Sequence, residues 1–314
     1  MSIIEKAISK SRGHVARKLR PNADQEHEAD ASLQARSNIE RAMDAVHEQG
    51  HPPDAATPEQ SPQPTVTRRF EPISRPHLAE AGLISPDGTT RSQVAEEFRL
   101  LKRPLLANAF GKDAPAARNR NLVMVTSSLP REGKSFCAIN LAMSIAMELD
   151  RTVLLVDADV ARPTVPQYLG ISADGPGLLD LLADESIDFP DALIRTDIDN
   201  LSVLLAGRTY PKATEMLASR DMHRLISDMS HRYPDRIILF DSPPLLATSE
   251  AGALAHHMGQ IVFVVEADKT PQEAIARATE QLEGCEVVVP LLNKSLPLPG
   301  MKYAHGYYGS YYRS

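Results

Sequence analysis

Four groups of residues in this 314-residue chain have types and spacings suited to phosphate chemistry. The first is Ser127-Ser128-Leu129-Pro130-Arg131-Glu132-Gly133-Lys134-Ser135-Phe136, set between an apolar β-rich run and a helical one. Gly133 lets the backbone approach an anion closely, and Lys134 offers a cation to phosphate oxygens. Ser135 offers a hydroxyl to a divalent cation, and a helix starting there points its positive end at the same place. Ser128 through Phe136 are therefore the expected ATP-binding loop, although Ser128 stands where the full pattern has its first glycine. The second group, Asp157 and Asp159, follows Val153-Leu154-Leu155-Val156, and the third, Asp241, follows Ile237-Ile238-Leu239-Phe240. One aspartate after a strand is usually a helix cap. Three of them at the carboxyl edge of a parallel sheet, beside a Lys/Ser loop, suit a Mg²⁺ site with a proton acceptor. The fourth group is a run of aromatics. Tyr303, Tyr307, Tyr308, Tyr311 and Tyr312 place five of the chain's eight tyrosines in the last twelve residues, spaced by Gly306, Gly309 and Ser310.

Positioning such groups takes a scaffold, and the apolar pattern supplies one. Strands are expected at Leu122–Thr126, Thr152–Val156, Leu201–Leu205, Arg236–Phe240, Ile261–Val265 and Val287–Leu292, with helices at 135–149, 220–232, 248–257 and 271–283. Near-continuous Val/Ile/Leu strands alternating with helices indicate an α/β P-loop NTPase fold, a mostly parallel sheet covered on both faces. A further stripe, Val94, Phe98, Leu101, Leu105 and Leu106, predicts a helix over 91–110 that Pro104 bends or divides.

Composition separates four regions. Residues 1–20 carry six Lys/Arg and one acid over a thin apolar stripe, a basic amphipathic segment suited to an anionic membrane or a partner. Residues 21–85, with HPPDAATPEQSPQPT at their centre, read as a disordered linker, with a transient helix possible from Ser37 to His47. Residues 86–295 form the nucleotide-binding domain, and 296–314 the tyrosine-rich tail. A net charge of −7 argues against a nucleic-acid partner. No long apolar run or secretory leader is present, so a cytoplasmic chain is expected, with Cys137 and Cys285 as reduced core thiols and His256–His257 in a helix-end role.

The motifs GKS at 133–135, DADVARP at 157–163 and FDSPP at 240–244 resemble the Walker A, A′ and B motifs of the bacterial tyrosine kinases. Glu96-x-x-Arg99-x-x-Lys102 resembles that family's oligomerisation helix, and TEMLASRDM at 214–222 another of its stretches. MSIIEKA and AEEFRLLKRPLLANAFG are similar to the branch found with exosortase-linked exopolysaccharide loci. The resemblance implies an autokinase that moves the γ-phosphate of ATP to the five tail tyrosines in the service of exopolysaccharide synthesis. In that reading Asp157 takes the phenolic proton, with the exchange of roles between Asp157 and Asp159 as the alternative. Ser135, Asp159 and Asp241 hold Mg²⁺, Lys134 steadies the transferred group, and Asn293 contacts adenine. It further implies a ring of subunits joined through Glu96, Arg99 and Lys102, peripheral attachment to the inner membrane through a polysaccharide co-polymerase as activator, and a cognate tyrosine phosphatase. Ala161 departs from the family pattern by standing in the A′ arginine slot, with Arg162 next to it. Two rival readings are a positioning ATPase like the cell-division and partition proteins, against which Leu129 speaks by replacing their extra lysine, and a non-catalytic ATP-gated assembly module.

Overall fold

The computed structural model describes residues 69–86, 92–111 and 119–295. Seven strands make one sheet: β1 (Leu122–Ser127), β2 (Thr152–Asp157), β3 (Leu193–Arg195), β4 (Leu201–Leu204), β5 (Arg236–Asp241), β6 (Gln260–Glu266) and β7 (Val288–Asn293). Their order is β3-β4-β2-β5-β1-β6-β7, parallel throughout except where β3 runs antiparallel to β4. Because β5 inserts between β1 and β2, the loop after β1 and the carboxylates ending β5 and β2 become neighbours. The register is explicit, with Val125 and Asp157 both opposite Asp241.

The two-residue period of a strand sends alternate side chains to opposite faces. Val123 and Val125 enter one apolar layer, Leu122 and Met124 the other. The first layer is covered by α2 (Gln93–Phe110) and α3 (Lys134–Ala146), through residues such as Phe98, Leu105, Ile139 and Met143. The second is covered by α8 (Arg220–Arg232), α9 (Ser249–Ala255) and α10 (Gln272–Glu280), through Met222, Ile226, Leu254 and Ala278. Short helices fill the connections: α1 (Arg75–Glu80), α4 (Val165–Leu169), α5 (Leu178–Ala183), α6 (Phe189–Ala192) and α7 (Ala213–Leu217).

Four expectations need correction. The antiparallel β3 is absent from the sequence reading, because three residues carry no readable period. The linker expected to reach residue 85 stops short of it: from Arg69 the chain packs on the domain, burying Ile73, Leu78, Leu83 and Ile84. Pro104 lies inside α2 without dividing it, since Phe98 and Leu105 are buried on either side and hold the helix down. Cys137 is a core thiol as expected, whereas Cys285 is only half-buried.

Lys102 also departs from its expected place. Each three-residue step rotates a helical position by about −60°, so Lys102 sits about 120° around from Glu96 and not on its face. It is buried, donating from Nζ to Ser144 O at 2.6 Å and pairing with Glu148 at 2.5 Å. Glu96 and Arg99 remain at the surface, paired with each other. The tail tyrosines, the basic segment 1–20 and the expected helix from Ser37 to His47 lie outside the described residues.

Candidate functional site

The loop after β1 is held from below before it can hold anything above. Thr126 Oγ1 donates to Pro243 O (2.9 Å), Leu245 N to Ser127 O (2.8 Å) and Leu246 N to Ser128 O (3.2 Å), lashing the loop to the segment after β5. Gly133 takes φ 97°, and a Cβ there would overlap the Asn293 side-chain amide, so glycine is required twice over. Asn293 Nδ2 in turn donates to Glu132 O (2.9 Å), and Lys294 Nζ to Arg131 O (2.7 Å). The end of β7 is thereby stitched to the loop.

The loop opens on a cleft of about 1020 Å³. Of the residues expected to bind ATP, Pro130, Arg131, Gly133, Lys134, Ser135, Phe136 and Asn293 line it. Ser128, Leu129 and Glu132 do not. Glu132 turns its buried carboxylate inward, accepting from Leu129 N (2.9 Å) and from the Thr270 hydroxyl, so it braces the loop instead of meeting a ligand. Sequence reasoning missed part of the lining. Val94 and Phe98 of α2, Thr164 and Tyr168 after β2, and Leu291 and Leu292 of β7 all face the cleft. The helical stripe carried Val94 and Phe98, but their helix reads as core and nothing in its pattern points to a site. Arg162, which follows the missing A′ arginine, does reach the cleft.

Charge is concentrated under the loop. Lys134 Nζ pairs with Asp159 Oδ2 at 2.6 Å, and both side chains are nearly buried. Burial works against the lysine's charge, but Asp241, Asp159 and Asp157 more than offset it and raise its pKa. Asp241 is fully buried beneath the cleft lining, and no hydrogen bond of ordinary geometry reaches either of its carboxylate oxygens, although the nearby Ser135 hydroxyl favours its ionised form. Burial pushes its pKa up to about 6 against the pull of Lys134. Asp157 is fully buried too, beneath the cleft and not on its wall, with Oδ2 accepting from Val165 N at 3.1 Å and Oδ1 unpartnered. Burial first, and then the charge of Asp241, raise its pKa well above the carboxylate range. Orphaned buried carboxylate oxygens are costly unless something arrives to satisfy them. Hard oxygen donors beside a hydroxyl and a lysine fit a magnesium nucleotide.

His257 is half-buried and stacks on His223 with ring centroids 4.2 Å apart, and burial lowers its pKa. Among the described residues no cluster of three His, Cys, Asp or Glu is arranged to hold a metal by itself, and no helix is long and apolar enough to cross a membrane.

The chain is similar in sequence and fold to known proteins. No family model matches the chain. The chain is 33% identical over 222 residues to the tyrosine-protein kinase YwqD of Bacillus subtilis (strain 168), a span covering 70% of this chain and 88% of that protein. It is 30% identical over 210 residues to the succinoglycan biosynthesis transport protein ExoP of Rhizobium meliloti (strain 1021), covering 65% of this chain and 25% of that longer one. Among solved structures the BceF tyrosine kinase domain superposes with a TM-score of 0.56 at 25% identity, over 71% of this chain and 91% of that domain. Fold, nucleotide loop and sequence identity agree: the chain belongs to the family of bacterial protein-tyrosine kinases.

Proposed function

We propose that this kinase binds Mg-ATP in the cleft and transfers the γ-phosphate to tyrosines of its own C-terminal tail, in the service of exopolysaccharide synthesis. The observation that carries the reading is the buried carboxylate of Asp241 below Lys134 and Ser135, whose oxygens no hydrogen bond of ordinary geometry satisfies. Ser135, Asp159 and Asp241 are the residues that would hold Mg²⁺, which when bound neutralises charge on the phosphate oxygens. Lys134 gives up Asp159 as partner for the phosphoryl oxygens. As the phenolic oxygen bonds to phosphorus and the bond to ADP breaks, the phenolic proton passes to Asp157. A carboxylate whose pKa is raised by burial holds an accepted proton more tightly than an ordinary one. The exchange of roles with Asp159, which lines the cleft, is settled by comparing the two Asn variants.

The acceptors in this reading are Tyr303, Tyr307, Tyr308, Tyr311 and Tyr312. Ser295, the last described residue before the tail, lies on the cleft wall. Residues 296–314 extend at most about 65 Å at ~3.5 Å per residue, enough for their own site or a neighbour's. The polysaccharide role and the membrane co-polymerase partner rest on likeness to proteins such as ExoP, a succinoglycan biosynthesis transport protein. The exosortase-linked branch, the phosphatase and the ring joined through Glu96 and Arg99 rest on the motifs. The test is incubation of purified protein with Mg-ATP and mass spectrometry of the tail. Wild type is expected to accumulate tail phosphotyrosine, and Lys134→Met to lose it by more than about a thousandfold while staying folded. Undiminished labelling of Lys134→Met would refute the site.

A further inference from the structure

The segment before the nucleotide-binding core does more than lead into it. From Arg69 to Ile84 the chain runs along the β3 edge, past α4, and on to α3, the helix that begins with Lys134 and Ser135. Arg195 N donates to Arg69 O (2.8 Å) and Glu71 N to Arg195 O (2.9 Å), so this stretch closes the open side of β3. Glu71 Oε2 accepts from Ser172 N at 2.7 Å, and Arg69, paired with Glu71, donates to the carbonyls of Ser172 (2.9 Å) and Asp174. Ser74 N donates to Leu169 O at 2.9 Å.

Leu169 ends α4, and the same short helix begins at Val165, whose N–H is the one held by Asp157 Oδ2. Five residues of helix therefore join the strap to the buried carboxylate. The seam is tight. Gly170, at φ 63°, lies so close that a Cβ would overlap Ser74 and the His77 ring. A second anchor lies farther on, where Ile84 N donates to Asn140 Oδ1 at 2.8 Å on α3, the phosphate-loop helix.

We propose that Arg69, Glu71 and Ser74 are positioning residues for phosphoryl transfer, fixing Asp157 from outside the cleft by anchoring both α4 and the turn that follows it. This rests on the reading of Asp157 as proton acceptor. None of the three residues lines the cleft, and their bonds reach it through α4 and the turn that follows it. Loss of the anchor leaves the phosphate loop intact, because that loop is held by β7 and by the segment after β5.

The experiment uses the full chain. Glu71→Ala, Glu71→Gln, Ser74→Pro and Asp157→Asn are compared with wild type for the rate constant of tail phosphorylation at saturating Mg-ATP. Affinity and stoichiometry for a fluorescent ATP analogue are measured alongside. Ser74→Pro suits the native φ of −72° and deletes the N–H that bonds Leu169, so it keeps the test alive if Glu71→Ala misfolds. Expected are rate constants about tenfold lower in Glu71→Ala and Ser74→Pro, full binding stoichiometry, and affinity within about twofold of wild type. Glu71→Gln, whose single amide oxygen still accepts from Ser172 N while the pair with Arg69 is lost, should recover part of the rate. Wild-type rates in both strap variants would overturn the proposal, as would binding stoichiometry that falls in step with rate. If Asp157→Asn transfers normally, the reading of Asp157 itself fails. If Asp157→Asn is dead and the strap variants are normal, only the strap inference fails.

Discussion

The catalytic edge and the layer formed by residues 69–86 and α2 are built by opposite means. At the edge, Lys134, Asp157, Asp159 and Asp241 are buried together, and Asp157 and Asp241 keep oxygens that no hydrogen bond of ordinary geometry satisfies. Such an arrangement is expensive in the bare protein and is tolerated for what it binds. The other layer satisfies nearly everything it buries. Ile73, Leu78 and Leu83 are apolar, Ile84 N meets Asn140, and Lys102 finds Ser144 O and Glu148. One region stores electrostatic cost as readiness for a ligand, and the other spends its contacts on holding the first in place.

That contrast can be broken by pH. Asp241 has its pKa raised to about 6, so it resists ionising in the bare fold, and its contribution to stability declines as pH rises from the ordinary carboxylate range through 6. Magnesium nucleotide needs the ionised form, so its affinity should run the other way, falling about tenfold per unit as pH drops below about 6. Titration of Mg-ATP affinity between pH 5 and 8 checks this. An affinity flat across that range would remove Asp241 from the metal site. A smaller effect is expected at Lys102→Met, which keeps the stem but leaves Ser144 O and Glu148 without their cation. It should cost about 1–3 kcal/mol in denaturant unfolding, discounted from a fully buried pair because Glu148 is partly exposed. The smallest is expected at Glu96→Ala, whose exposed pair with Arg99 is worth under about 0.5 kcal/mol. Equal losses at Lys102 and Glu96 would erase the distinction between an inner and an outer residue of one motif.

The same contrast explains what could be read from residues alone. The catalytic edge was legible because its chemistry restricts residue type: few side chains other than glycine, lysine and serine do what Gly133, Lys134 and Ser135 do, and β-rich runs announce where the aspartates fall. The strap was not legible, since the Arg69 and Glu71 side chains bond backbone groups of Ser172 and Asp174, and backbone groups are the same in every sequence. Four apolar anchors in a stretch otherwise rich in Pro, Arg and Glu were too few to set a period. Lys102 was misread because a charged residue in a motif reads as surface, although a lysine stem can be buried when its head finds a carbonyl and a carboxylate. Glu132 was misread for a related reason, since a loop residue between phosphate-binding neighbours gave no sign of turning inward.

The claim at the centre is that the tail tyrosines receive phosphate from the site built on Lys134, and a mixing experiment tests it most directly. A Lys134→Met chain with its tail intact is combined with an active chain whose Tyr303, Tyr307, Tyr308, Tyr311 and Tyr312 are Phe, and each tail is read by mass spectrometry after addition of Mg-ATP. Transfer between subunits predicts phosphotyrosine on the Lys134→Met tail alone, at a rate that rises with total protein. No label on either chain, in mixed oligomers whose wild-type counterpart is labelled, would contradict transfer between subunits and confine each tail to its own cleft. A wild-type chain that binds Mg-ATP and never labels its tail would contradict the claim itself.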